Sequence, residues 1–246
     1  MPESAPVALV TGAARRVGAV IARRLHAAGY DVVLHHRRSG DAASALQAEL
    51  ERERAGSTLV LQAELAEFDR LPELIAQAVG RFGRLDALVN NASAFYPTPI
   101  GGTVPAQWDE LFASNARAPF FLSQAAVPHL RKARGAIVNL VDVYAERPLA
   151  EHTLYCMAKA ALAMMTLSLA KELGPEIRVN AVAPGAVLWP EQGKAQAEQD
   201  AMIAGTALQR AGTPEDVAEA VRWLVQDAHY TTGQVLRVDG GRFLRI

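Results

Sequence analysis

Tyr155-Cys156-Met157-Ala158-Lys159 places a phenol and an ammonium four residues apart, on one face if the segment is helical. A phenol with a pKa near 10 is a poor acid or base at neutral pH. A neighbouring cation stabilises its phenolate and lowers that pKa. Such a pair suits the passage of a proton to a substrate while a hydride arrives from elsewhere. Alone, the spacing is that of many surface helices; two other stretches give it weight. Thr11-Gly12-Ala13-Ala14-Arg15-Arg16-Val17-Gly18 follows an apolar run and opens a helical pattern. Small residues there let the backbone close on a pyrophosphate, which the helix N-terminus stabilises. Asn90-Asn91-Ala92 follows the fourth apolar run.

The second apolar run ends in His35-His36-Arg37-Arg38-Ser39, and the next acid is Asp41. A chain preferring NAD places an acid at this point, for the ribose hydroxyls. A carboxylate would repel a 2′-phosphate, whereas a guanidinium and a hydroxyl bind one. The expected cofactor is therefore NADPH, held by His36, Arg38 and Ser39, with Arg16 of the glycine turn reaching the same phosphates. The paired histidines have no further ligands at a suitable spacing, so no metal is expected.

The elements that must position these groups alternate. Residues 7–10, 31–35, 59–62, 87–90, 136–140, 178–182 and 234–238 read as strands, several of them near-continuous apolar runs of the kind buried on both faces. Residues 17–28, 41–54, 72–81, 105–114, 119–133, 154–173 and 214–226 read as helices. Pro72, Pro105 and Pro214 stand at first turns, and Gly29 and Gly174 at stops. The order implies an α/β fold of Rossmann type: a doubly wound, seven-stranded parallel sheet with helices on both faces. The expectation is one domain over residues 1–246, its cofactor half ending near 140 and its catalytic half following. Residues 186–205, with Trp189 and Pro190, fit an insertion over the sheet.

Half of the 246 residues are apolar and the formal charge is −1, with 25 Lys and Arg against 26 Asp and Glu. That balance gives no footprint for nucleic acid or an anionic membrane. The single cysteine, Cys156, fits a reducing compartment, and the N-terminus has no signal-peptide pattern, so a cytoplasmic location is expected. The most apolar helical stretch, 160–170, is read as too short to span a membrane. It is apolar almost all round, which one sheet face does not explain, so a subunit interface is expected there.

These motifs, together with Asn115 in a helix, Pro184-Gly185 after the sixth strand and Val238-Asp239-Gly240-Gly241 after the seventh, resemble the short-chain dehydrogenase/reductase superfamily over essentially the whole chain. The resemblance implies that Tyr155 donates the proton, that Lys159 holds the ribose and tunes the phenol, and that Asn115 carries a water into a proton relay. It also implies cofactor contacts from Gly12, Gly18, Asn91, Ala92, Pro184 and Gly185. Glu64 stands where an Asp near the adenine is usual, and the longer side chain puts that contact in doubt.

Two departures narrow the resemblance. Arg16 replaces the third loop glycine, and Asp142 replaces the serine usually found thirteen residues before the tyrosine. Both resemble the pteridine reductases, as do Arg38-Ser39 and Asn91-Ala92-Ser93-Ala94-Phe95-Tyr96-Pro97-Thr98-Pro99. By that resemblance Phe95 stacks on a pterin, Ser93 and Arg16 hydrogen-bond it, and the chain assembles as a homotetramer. The C-terminal Phe243 and Leu244 would then anchor in a partner subunit and Arg245 would reach its pterin. A carboxylate opposes developing oxyanion charge, which counts against ketone reduction; for a C=N bond, an Asp can accept from the tyrosine or hold a proton. The leading expectation is NADPH-dependent reduction of a pteridine. The alternatives are reduction of a carbonyl or 3-oxoacyl thioester, and an NADP(H)-sensing protein without turnover.

Overall fold

Short apolar strands need cover on both faces, and the chain supplies it in two helical layers. The computed structural model describes residues 4–188 and 195–245. Seven strands run parallel: Val7–Val10 (β1), Asp31–His36 (β2), Thr58–Gln62 (β3), Ala87–Asn90 (β4), Ala136–Leu140 (β5), Arg178–Pro184 (β6) and Val235–Val238 (β7). Their order is β3-β2-β1-β4-β5-β6-β7. The helices are Arg16–Ala27 (α1), Gly40–Glu53 (α2), Leu71–Phe82 (α3), Pro105–Phe112 (α4), Ala118–Ala133 (α5), Thr153–Leu173 (α6), Gln196–Ala204 (α7) and Pro214–Gln226 (α8).

Alternation along the strands builds two cores. Ala8 and Val10 pack with Ile21 and Leu25 of α1, Leu46 of α2 and Val221 of α8. Val7 and Leu9 face Leu74 of α3, Leu122 of α5 and Leu173 of α6. Two helices are stopped or started by local chemistry that the sequence shows. Gly83 ends α3 in the left-handed conformation, and Thr213 and Asp216 form a reciprocal capping box on α8. The strand order reverses between β1 and β4, which opens a crevice at the carboxyl ends of the strands.

Two expectations are corrected and a third is given detail. The helices expected at 105–114 and 119–133 are not separate: α4 runs through a π-turn, Ala113–Arg117, directly into α5. The insertion expected at 186–205 carries a helix of its own, α7, while Trp189 and Pro190 lie outside the described residues. The apolar stretch 160–170 belongs to the 21-residue α6, which is long and apolar enough to cross a membrane by length and composition. Leu154, Leu162, Thr166 and Ala170 of α6 are nonetheless buried, and the helix packs on β6.

Candidate active site

At the crevice, the backbone makes the shape. Gly12 sits at φ +62°, a conformation that side chains rarely adopt. A Cβ on Gly18 would lie 2.1 Å from the Gly12 carbonyl oxygen, so only glycine closes this turn. Arg16 also has positive φ, at +54°, which marks local strain at the position where the resemblance expects a glycine. Asn91 ties the end of β4 to the turn: its Nδ2 donates to the Thr11 and Gly12 carbonyls (2.8 and 3.2 Å). The Thr11 hydroxyl accepts from the N–H groups of Asn91 and Ala92 (2.9 and 3.0 Å).

His35 was not singled out by the sequence, yet it holds the turn from below. The Gly12 N–H donates to its Nδ1 (3.2 Å), which leaves Nε2 to donate to the Ala63 carbonyl (3.2 Å). Burial pushes its pKa down to about 4, so this pattern belongs to the neutral ring. The neighbouring His36 is buried with no partner for Nδ1 within the described residues.

Gly12, Arg16, Gly18, His36, Arg38, Ser39, Glu64, Asn91, Ala92 and Ser93 line a single groove of about 520 Å³. The two arginines after β2 are not equivalent. Arg37 is ion-paired with Glu64, whose other oxygen accepts the Ala66 N–H (3.2 Å). Arg38 is exposed and makes no ion pair among the described residues. Pro184 and Gly185 stand at the end of β6, with the Gly185 N–H donating to the Val238 carbonyl (3.0 Å). A glycine cradle that a Cβ would fill, an unpartnered ring nitrogen on His36 and an unpaired guanidinium fit a dinucleotide carrying an extra phosphate.

Beyond the groove, charge is buried. The Tyr155 hydroxyl donates to Asp142 Oδ2 (2.8 Å), and the Tyr144 N–H donates to Asp142 Oδ1 (2.9 Å). Lys159 is buried and its Nζ donates to the Leu140 carbonyl (2.7 Å). Burial pushes the Asp142 carboxyl above its usual range, opposed by the Tyr144 N–H, the Tyr155 hydroxyl, Lys159 and Arg242. Burial also pushes Lys159 down to about 8, against the attraction of Asp142. The lowered Tyr155 pKa expected from Lys159 is not found. Burial, and then the facing Asp142, hold the phenol well above its ordinary value, and the ammonium lies 5.7 Å from the centre of the Tyr155 ring. Tyr155 is therefore a protonated phenol at neutral pH.

Asn115 is buried in the π-turn. Its Nδ2 donates to the Ala94 and Leu111 carbonyls (3.0 and 2.9 Å), and its Oδ1 accepts from the Ser93 hydroxyl (2.6 Å). Among the described residues no direct hydrogen bond joins it to Tyr155 or Lys159. It instead fixes the segment leading to Phe95. The Phe95 ring is 43 % exposed, meets the Tyr155 ring edge-on at 4.8 Å and stacks on His152 at 4.7 Å. His152 is a second residue that the sequence did not reveal: a histidine three positions before a tyrosine carries no signal until Phe95 is placed against it.

Within its own chain the C-terminal turn is held by side-chain contacts. Phe243 lies within its own chain, between the guanidinium groups of Arg147 (4.7 Å) and Arg237 (3.9 Å). Leu244 is exposed, and Arg245 donates to the Ala204 carbonyl (3.2 Å).

This combination of a switch-point crevice, a glycine turn and a Tyr/Lys pair beside it defines a class of nucleotide-dependent oxidoreductase, and comparison with known proteins agrees. Residues 12–242 match the family described as enoyl-(acyl carrier protein) reductase. The chain is 38 % identical to pteridine reductase 1 of Leishmania tarentolae, over 97 % of this chain and 96 % of that protein. It is 38 % identical to the protein named granaticin polyketide synthase putative ketoacyl reductase 2 of Streptomyces violaceoruber (98 % and 97 %). It is 34 % identical to a 3-oxoacyl-[acyl-carrier-protein] reductase of Staphylococcus epidermidis (96 % and 98 %). The chain belongs to the short-chain dehydrogenase/reductase family and is an enzyme, a reductase dependent on a nicotinamide cofactor.

Proposed function

We propose that the enzyme is an NADPH-dependent pteridine reductase acting on a dihydropterin. The observation that carries this reading is the Asp142 carboxyl bonded to the Tyr155 hydroxyl at 2.8 Å, beside the half-open ring of Phe95. The chain would work as one unit, residues before about 140 binding the cofactor and those after it handling protons. Gly12, Arg16 and Gly18 would hold the pyrophosphate, Arg38 and Ser39 the 2′-phosphate beside His36, with Glu64 bracing Arg37. Asn91, Ala92, Pro184 and Gly185 would line the rest of the cofactor, and Lys159 would hold the ribose.

When bound, NADPH supplies the hydride. Tyr155 would give its proton to the reduced nitrogen, and Asp142, which accepts the Tyr155 hydroxyl at 2.8 Å, would pass on the replacing proton from solvent. Phe95 offers a face to a flat heteroaromatic ring, with Ser93 and Arg16 as polar neighbours, and an offset stack there is favourable. Asn115 would orient this segment and a relay water. The reading includes a homotetramer in the cytoplasm; Met164 and Leu167, exposed on α6, support a subunit interface on that helix.

A second reading, reduction of a 3-oxoacyl thioester, is favoured by the ketoacyl reductases at 34–38 % identity. Steady-state oxidation of NADPH with dihydrobiopterin and with an acetoacetyl thioester separates the two. Preference for the thioester would overturn the pteridine reading, and no turnover on either would favour a binding protein. Asp142→Ser should lower pterin turnover without a parallel fall in any ketone turnover; equal losses would leave Asp142 structural.

A further inference from the structure

The C-terminal turn is fastened to the turn that carries Asp142. Arg242 is buried, and its Nη2 donates to the Tyr144 hydroxyl (3.2 Å), with the guanidinium 5.9 Å from the centre of that ring. The next residue, Phe243, is gripped by Arg147 and Arg237, and Arg237 is paired with Glu146 (2.6 Å). Asp239 closes the turn from inside, accepting from the Gly241 and Phe243 N–H groups (2.9 and 2.7 Å). Thus Arg242 and Phe243 both hold residues 144–147, on the same short turn whose Tyr144 N–H binds Asp142. A buried cation is costly unless a compensating charge or dipole faces it. Among the described residues the Arg242 guanidinium makes one side-chain hydrogen bond, to a neutral phenol. The anion that feels its charge is Asp142.

We propose that Arg242 is a positioning residue for proton transfer: from the C-terminal turn it fixes Tyr144, and through the Tyr144 N–H it holds the Asp142 carboxyl against the Tyr155 hydroxyl. The inference rests on Tyr155 and Asp142 as the proton-transfer pair and is indifferent to which substrate takes the proton. The groups facing Asp142 are Tyr155 and Lys159 from α6, Tyr144 from its own turn and Arg242 from the C-terminal turn; Cys156 and Tyr144 add to the field at Tyr155. Arg242 favours the carboxylate. Its removal therefore raises the pH at which Asp142 loses its proton.

The test uses the full chain labelled with carbon-13 at aspartate carboxyl groups, and reads the Asp142 titration by magnetic resonance. The Asp142 signal is assigned by its loss in Asp142→Asn. Arg242→Met should move the midpoint up by about half a unit or more, and Arg242→Lys, which keeps the charge, should restore most of the shift. Tyr144→Phe removes only a hydroxyl and should move the midpoint the same way. In turnover, Arg242→Met should lower kcat by about tenfold with NADPH affinity unchanged, since misplacing one group is enough to do so. An unmoved midpoint in folded Arg242→Met and in Tyr144→Phe overturns the proposal; if Arg242→Met does not fold, Tyr144→Phe decides. A shifted midpoint without dihydropterin turnover sinks the substrate reading alone. An unshifted midpoint with full dihydropterin turnover sinks this inference alone.

Discussion

The cofactor groove and the Tyr155 corner are neighbours built by opposite means. In the groove the backbone makes the shape, through Gly12, Gly18 and the Asn91 ties, while the charges of Arg37, Arg38 and Glu64 stay at the surface. At the corner the charges are inside, and Asp142, Tyr155 and Lys159 shift one another because little water screens them. The groove can therefore recognise a ligand by reach and charge count. The corner can set proton affinities, and it pays in stability for doing so.

The sharpest way to break this contrast is Tyr155→Phe. If the corner moves the proton and the groove only binds, kcat should fall by about 10²–10⁴-fold while NADPH affinity, read by fluorescence titration, holds. A near-native kcat under conditions where chemistry limits the rate would place the proton source elsewhere. Arg38→Ala should do the reverse. NADPH should bind about ten- to hundredfold more weakly with NADH unaffected, the loss of a charge-assisted phosphate contact. Equal affinity of the native enzyme for the two cofactors would show that the groove does not read the phosphate.

The pH profile sharpens the difference further. Lys159 has its pKa pushed down to about 8 by burial, so its charge is lost as pH rises through that value. Turnover should fall there by roughly tenfold per unit, and the step should survive Arg38→Ala. Folding carries the opposite sign. Between about pH 8 and 10 the unfolded chain keeps the lysine proton that the folded chain has released, so stability should rise with pH relative to Lys159→Met. Melting temperatures of the two proteins across that range decide it; parallel curves would mean that Lys159 titrates normally. The smallest effect belongs to Glu64→Gln. An exposed ion pair is worth about 0–1 kcal/mol, so freeing Arg37 should change NADPH affinity by no more than about fivefold, in the same titration. A larger change would show that the pair is part of the binding site rather than a brace.

Most of the groove was legible because its requirements are local. Gly12 and Gly18 are forced by a tight turn after a strand, and Arg38 by its place at the end of β2. The strands were legible from apolar runs, with ends displaced by one or two residues. What escaped notice depends on tertiary meetings. His35 reads only as half of a histidine pair without further metal ligands until Gly12 folds back onto its Nδ1. His152 has no partner in sequence, only Phe95 in space. Asp142 was noticed by type and spacing, but its raised pKa comes from burial, which spacing does not encode. The same holds for Tyr155, where the pattern pointed to Lys159 as the dominant influence and the fold made it burial, with Asp142 next.

The wide turn at Ala113–Arg117 makes chain length itself a constraint here. It carries Asn115 to Ser93 and Ala94 and then hands the chain to α5, which buries Ala118, Leu122, Ala126 and Leu130. Each residue of a helix advances the rotation by about 100°. Removing any one residue of the five would let the whole stretch wind as a regular helix, a gain for the backbone taken alone. The wide turn spends one residue more than a regular helix on about one revolution, so α5 would keep its apolar stripe on the sheet and the loss would fall on the reach of Asn115 to Ser93 and Ala94. A single-residue deletion at this spot would therefore spare the core and strike the site, the reverse of what a shortened helix usually does.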